Sequence, residues 1–267
     1  MQPYFSIFSI DIPAFGTMMI LGGSLGAILA VLRAPKTNIP RQDTLLAFLL
    51  GAIGIIVGAK LLYTIVDIGR LWELRHLLWE DTGTYLKMIF GGGLVFYGGL
   101  IGGIAAVFIY CKAFKTPFSF LEIMDLYAPS IALMHAVGRV GCFLAGCCYG
   151  MHVEGRFGVV FRNSLGAPNG VPLLPIQLIE SGLNIILCAA LVLYARKKRT
   201  KGRVIGLYLV IYAVMRFTLE FFRGDAIRGF VLGLSTSQFI SVLLLPIGIF
   251  LLVWKMRSPA RENEERE

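Results

Sequence analysis

Two arginines stand inside long apolar runs of this sequence. Arg139 lies in MHAVGRVGCFLAGCCYG, residues 134–150, and Arg216 lies in YAVMRFTLEFFRGD, residues 212–225. An unpaired arginine at mid-membrane depth costs about 2.5–3.5 kcal/mol on insertion scales, so one that is kept faces a polar cavity and has a partner there. The chemistry this permits is an anion grip. A guanidinium stays charged, and its planar fork gives a phosphate two parallel hydrogen bonds. Counter-ions are also at hand. Glu180 sits early in another apolar run, and Glu220 follows Arg216 at i,i+4, the spacing of a pair on one helix face. Two readings are open for each arginine: phosphate ligand, or structural partner of Glu180, Glu220 or Asp125. Glu180 reads either as a counter-ion or as a general base.

Other reactive types gather nearby. His135 precedes Arg139 by one helical turn, so the two can face one cavity, and it reads as a core residue or a proton carrier. Tyr97 lies in FYGGLIGG, residues 96–103, whose glycines permit either tight helix packing or close approach of backbone to a ligand. Tyr97 could donate a hydrogen bond, or act as a base if its pKa were lowered. Cys142, Cys147, Cys148 and His152 invite a metal reading. Their spacing fits no zinc pattern, and adjacent cysteines suit one tetrahedral ion poorly, so a disulfide or plain packing is preferred and no metal is expected.

The elements that must position these residues follow from composition. Of 267 residues 57% are hydrophobic and only 15% charged, and the mean hydropathy is +0.75. That exceeds a soluble domain and predicts an all-α polytopic membrane protein. The apolar runs do not alternate, which argues against a β-barrel. Seven runs are expected to span: residues 13–32, 45–66, 88–110, 123–146, 175–195, 204–222 and 232–254. They form one membrane domain over residues 1–254. Gly22 with Gly26, and Gly54 with Gly58, have the spacing that lets helices approach closely. The first ten residues carry no positive charge and no small-residue cleavage site follows, so the first run is expected to stay as an anchor. Within segment 67–87, LWELRHLLWE has apolar residues at helical spacing and predicts a short helix lying in the interface.

The net charge of +9 is set by loops between apolar runs, which points to the membrane rather than to nucleic acid. With seven spans, fifteen Lys and Arg fall on one side and seven on the other. The bias places the N-terminus outside and the C-terminus in the cytoplasm. Segments 67–87 and 147–174 are then extracytoplasmic, and tail 255–267 is a polar, disordered cytoplasmic end. Arg139, Glu180, Arg216 and Glu220 all come to one depth in the outer half of the membrane.

Four ordered motifs resemble the prolipoprotein diacylglyceryl transferase family. YGGLIGG is similar to its His-Gly-Gly-Leu-x-Gly segment. GRVGCFLAGCCYG is similar to its signature Gly-Arg-x-Gly-Asn-Phe-x-Asn-x-Glu-x-x-Gly. PIQLIE is similar to Pro-x-Gln-Leu-Tyr-Glu, and YAVMRFTLEFFRGD to Tyr-x-x-x-Arg-x-x-x-Glu-Phe-x-Arg. The opening AFGTMMILGG resembles the family's Tyr-Gly helix, with Phe15 in place of the tyrosine.

The resemblance implies a multi-pass enzyme of the bacterial plasma membrane. Phosphatidylglycerol would be the donor, the lipobox cysteine of a prolipoprotein the acceptor, and glycerol phosphate the leaving group, with no cofactor. Arg139 carries over as headgroup ligand and Arg216 as the second arginine. Glu180, Tyr212, Glu220 and Arg223 match further polar positions. The chain departs from the family where the histidine is Tyr97, the signature asparagines are Cys142 and Ala145, and the signature glutamate is Cys147. The base is then open among Tyr97, His135, Glu180 and the departing phosphate. Two other readings stand beside this one: a paralogous phospholipid-dependent transferase with another acceptor, and a non-catalytic lipid-binding or transport protein. The internal repeat common in transporters is not found.

Overall fold

The structure is a computed structural model that describes residues 3–7, 10–155, 157–225 and 229–254. The tail at 255–267 expected to be disordered, and Arg156 and Arg228 of the charge count, lie outside the described residues. The chain forms two compact units, residues 34–120 and the remainder. Among the described residues six helices are long and apolar enough to cross a membrane.

The unit of residues 34–120 holds α2 (Arg41–Val66), the short helices α3 (Ile68–Glu73), α4 (Leu77–Glu80) and α5 (Thr82–Gly91), and α6 (Phe96–Ala113). Helices α2 and α6 meet backbone to backbone. A Cβ built on Gly54 would stand 2.5 Å from the Gly102 carbonyl oxygen, and one on Gly58 would collide with the Gly98 carbonyl. The small-residue spacing read from the sequence makes this contact, because only glycine lets two helix backbones come so near. The expected run at 88–110 starts later than predicted. Residues 88–91 end α5, and the chain resumes helix only at Phe96. Gly92 and Gly93 pack on the Tyr63 ring, and the Gly92 carbonyl accepts from Lys60 Nζ at 3.1 Å, so tertiary contacts hold a break that glycine already favours. The single short helix expected over LWELRHLLWE is broken instead: α3 ends at Glu73, α4 covers only Leu77–Glu80, and α5 follows beyond that run. Asp81 caps α5 by accepting from the Thr84 amide at 3.0 Å.

The other unit opens with a hairpin, β1 (Tyr4–Ile7) against β2 (Ile10–Pro13), which the apolar reading did not foresee. Helix α1 (Ala14–Arg33) then packs on α7 (Phe120–Ala145). Gly22 faces Met134 and Val137, and Gly26 faces Met134 and Ser130. Helices α8 (Ile176–Tyr194), α9 (Arg203–Glu220) and α10 (Thr236–Val253) follow. Of these, α9 is 18 residues long and carries Arg203, Arg216 and Glu220. Two-residue strands pair as β3 (Val159–Val160) with β4 (Pro172–Leu173), and β5 (Phe230–Val231) with β6 (Leu234–Ser235).

The core of this unit is small and apolar where α7, α8 and α9 meet: Ala128, Ala132, Leu187, Leu191, Val204 and Tyr208. Large aliphatic side chains such as Ile20, Leu32 and Ile186 point outward. This inverts a water-soluble pattern and suits a lipid surround. Among the described residues Asp125 pairs with neither Arg139 nor Arg216. It accepts from the amides of Gly202 and Ile205 at 2.7 and 2.8 Å, and so caps the start of α9.

Candidate active site

The polar residues of the second unit gather where the ends of α7, α8 and α9 meet the connecting segments. Helix period puts His135 and Arg139 on one face of α7. Glu180, fully buried on α8, faces them. Arg139 Nη2 lies 3.0 Å from Glu180 Oε1, and His135 Nε2 lies 3.3 Å from the same oxygen. Arg139 Nε lies 3.2 Å from His135 Nε2. One imidazole nitrogen thus sits between a donor and an acceptor. Unprotonated it accepts from Arg139, and protonated it donates to Glu180, so it cannot serve both at once. Asn184, one turn beyond Glu180, donates to the Glu180 carbonyl at 2.8 Å, and Ser181 donates to the Ala136 carbonyl at 2.9 Å, tying α8 to α7.

Arg216 forms the second cation of the cluster. Its Nη2 meets Glu220 Oε2 at 2.8 Å and donates to the Ser237 hydroxyl at 2.7 Å. Arg216 is 6% exposed, and its Nη1 has no hydrogen-bond partner among the described residues. The Arg216 guanidinium also lies within electrostatic reach of Glu180. Tyr212 stacks on Tyr208 at 5.6 Å and lies 5.5 Å, ring to ring, from His135.

Arg223 is held by backbone as well as by charge. Its guanidinium makes a two-pronged pair with Asp225 at 3.0 and 3.1 Å, and its Nη1 has no partner among the described residues. Burial raises the Asp225 carboxyl, and the Arg223 guanidinium opposes that. Residue 223 bridges to Gly150, and the Gly224 amide donates to the Tyr149 carbonyl at 3.1 Å. On the other side the Leu174 amide donates to the Met151 carbonyl at 2.9 Å. The end of the 134–150 stretch is therefore threaded between the segment after α9 and the segment before α8. A cavity of about 280 Å³ opens here, lined by Glu220, Arg223, Asp225, Phe230, Ser235 and Gln238 among others.

The structure thus brings Arg139, His135, Glu180, Tyr212, Arg216, Glu220 and Arg223 into one unit. Tyr97 belongs to the other, on the first turn of α6, with its ring edge-on to Phe96 at 5.6 Å. Sequence reasoning missed Ser237 and Asp225 as arginine partners. Asp225 carried a signal, an acid two residues from Arg223. Ser237 carried none, being a small polar residue in the first turn of α10. All five cysteines are free thiols. Hydrogen bonding from Cys142 and Cys147, with the Arg223 and Arg139 guanidiniums, holds the Cys148 thiol well below the usual range, while its sulfur neighbours and burial push Cys147 up.

Arg139 and Arg216 are each paired with a carboxylate, Glu180 and Glu220, and the buried Arg216 keeps Nη1 without a partner among the described residues. A sequence model of the prolipoprotein diacylglyceryl transferase family matches residues 2–254. The chain belongs to the prolipoprotein diacylglyceryl transferase family. It is 42% identical over 246 residues to the phosphatidylglycerol–prolipoprotein diacylglyceryl transferase of Clostridium tetani, covering 92% of this chain and 94% of that protein. It is 37% identical to the second such transferase of Clostridium perfringens, over 92% and 91% of the two chains. The transferase of Finegoldia magna is 31% identical over 98% of each. A member of the prolipoprotein diacylglyceryl transferase family with six long apolar helices among its described residues is a multi-pass membrane protein.

Proposed function

We propose that the chain transfers the diacylglyceryl group of phosphatidylglycerol to the lipobox cysteine thiol of a prolipoprotein, releasing glycerol phosphate. The observation that carries this reading is the match to relatives named for that reaction along nearly the whole chain. The buried Arg216 and the half-buried Arg139 agree with it. In the reaction a thiolate sulfur attacks a glyceryl carbon. The carbon–oxygen bond to phosphate breaks, and its electron pair leaves on the phosphate oxygen. Charge builds on the leaving group, so fixed guanidiniums aimed at it lower the barrier.

In this reading Arg139 and Arg216 bind the phosphate, Glu220 holds Arg216, and Glu180 holds Arg139 with His135. Tyr212 and Arg223 contribute to the headgroup site. Tyr97, at the position of the family histidine, belongs to the catalytic set by resemblance. Counting α9 as a seventh span puts the N-terminus outside and the C-terminus in the cytoplasm of a bacterial plasma membrane, and the site opens to the outer leaflet.

The test is expression in a bacterium depleted of its own transferase, with lipoprotein mass read by spectrometry. A diacylglyceryl adduct is expected, and its absence from well-expressed protein rejects the reading. Arg139→Gln and Arg139→Lys are both expected to lose turnover. Undiminished turnover in both would make Arg139 structural only. A lipobox peptide and its Cys→Ser version are compared because Cys142, Ala145 and Cys147 depart from the family pattern. Equal use of both would reject a thiol acceptor.

A further inference from the structure

Three thiols crowd the end of α7 beside the arginines. The Sγ atoms of Cys142, Cys147 and Cys148 all lie within 4.8 Å of one another, with Cys142 buried and the other two half-buried. Spacing alone argued against a metal, because it fits no zinc pattern and adjacent cysteines suit one tetrahedral ion poorly. The backbone here is not regular. Gly146 and Cys148 both take positive φ, +68° and +56°, on either side of Cys147. A non-glycine residue there is strained by about 1–3 kcal/mol. The Cys147 amide donates to the Cys142 carbonyl at 3.0 Å, so the chain doubles back and lays the later thiols over the first.

The geometry and charge suit a soft divalent ion. With zinc–sulfur bonds of about 2.3 Å, tetrahedral ligands stand about 3.8 Å apart, within the span observed. Thiolate sulfur selects such ions over magnesium or calcium. Three thiolates around a divalent ion leave one negative charge. Arg139 and Arg223 lie within electrostatic reach of Cys148 and offset part of it, each sharing its charge with a carboxylate, Glu180 and Asp225.

We propose that Cys142, Cys147 and Cys148 hold one zinc-class divalent ion whose open fourth position takes the acceptor thiol. This rests on the thiol-acceptor reading above. Coordination removes the thiol proton to solvent. The bound sulfur then supplies the electron pair that forms the bond to the glyceryl carbon, while the carbon–oxygen bond to phosphate breaks toward oxygen. No oxidant or reductant is needed. The thioether product is neutral and a weaker ligand than a thiolate, which favours its release. Arg139 precedes Cys142 on the same helix, so phosphate ligand and sulfur site are neighbours.

Cobalt(II) is the probe, added to reduced, metal-free full-length protein in detergent. One equivalent is expected to give sulfur-to-metal charge transfer and tetrahedral d–d bands. A lipobox peptide should raise the charge-transfer intensity by about one third, as three thiolates become four, and its Cys→Ser version should not. The bands should vanish with Cys142→Ser, Cys147→Ser and Cys148→Ser combined, and persist with Cys111→Ser and Cys188→Ser. No bands in the wild type, bands surviving the triple change, or no response to the thiol peptide would each overturn the proposal. Chelation is expected to lower transfer at least about tenfold, with recovery on adding zinc. Full transfer by metal-free protein overturns the inference and leaves the function standing. A thiol-peptide response without transfer by zinc-loaded protein overturns the function and keeps the metal site.

Discussion

Glu180 Oε1 stands 3.0 Å from Arg139 Nη2, joining α8 to α7 in the buried part of the protein. Neither group is affordable alone there. Removing one partner of a buried pair leaves an uncompensated charge, at about 3–5 kcal/mol. Glu180→Gln is therefore expected to lower the unfolding temperature in detergent markedly. Arg139→Gln combined with it should destabilise less than the sum of the two single changes. Additive effects in that thermal-unfolding cycle would mean the two groups do not interact.

Arg216 divides its Nη2 between Glu220 and Ser237. Ser237→Ala removes a hydrogen bond to a charged group, about 1.5 kcal/mol. Glu220→Gln removes the charge partner and should cost more. Unfolding midpoints of the two variants give the ranking, and equal midpoints would show that Glu220 is not the principal anchor.

Gly58 meets the Gly98 carbonyl across the α2–α6 contact, whereas Gly69 on α3 has open space at its Cβ position. Gly58→Ala is expected to destabilise by about 1–3 kcal/mol through forced separation of the helices. Gly69→Ala should be neutral or stabilise slightly, since alanine favours helix. Thermal unfolding and yield of the two variants check this, and matching behaviour would deny the close approach.

Asp81 is held below the usual carboxylate range by its hydrogen bonds from the Thr84 hydroxyl and amide. The sign follows from linkage: a folded-state pKa that is depressed adds stability above the unfolded value, lost as pH falls through the folded one. Amide exchange at the start of α5 should stay slow at mildly acidic pH, after allowance for intrinsic rates, and speed up only below the ordinary aspartate range. Asp81→Asn should abolish that pH dependence. Loss of protection already at the ordinary value would sink the capping account.

Much of the site was legible because a helix repeats on a short period. His135 with Arg139, and Arg216 with Glu220, are each one turn apart, so their side chains must meet whatever surrounds them. The cost of burying charge in an apolar chain marked the same residues. The glycine spacings in α1, α2 and α6 were legible for a similar reason: a small residue on every turn permits close contact. The start of α6 was not, because apolarity continues through Gly91–Gly93 and only the Tyr63 and Lys60 contacts show the break.

The sequence by itself determined that charged groups must be partnered within apolar helices, and which family the chain resembles. Local spacing and transfer cost act along the chain, so they can be read from it. Tertiary structure alone decided that Glu180 takes Arg139 and His135 on one oxygen, and that Ser237 shares Arg216. It also decided that Asp125 caps α9 instead of meeting an arginine, and that three cysteines converge. Those pairings join segments far apart in the chain. They depend on how helices dock and on two left-handed turns after α7, and a residue's neighbours in sequence carry no record of either.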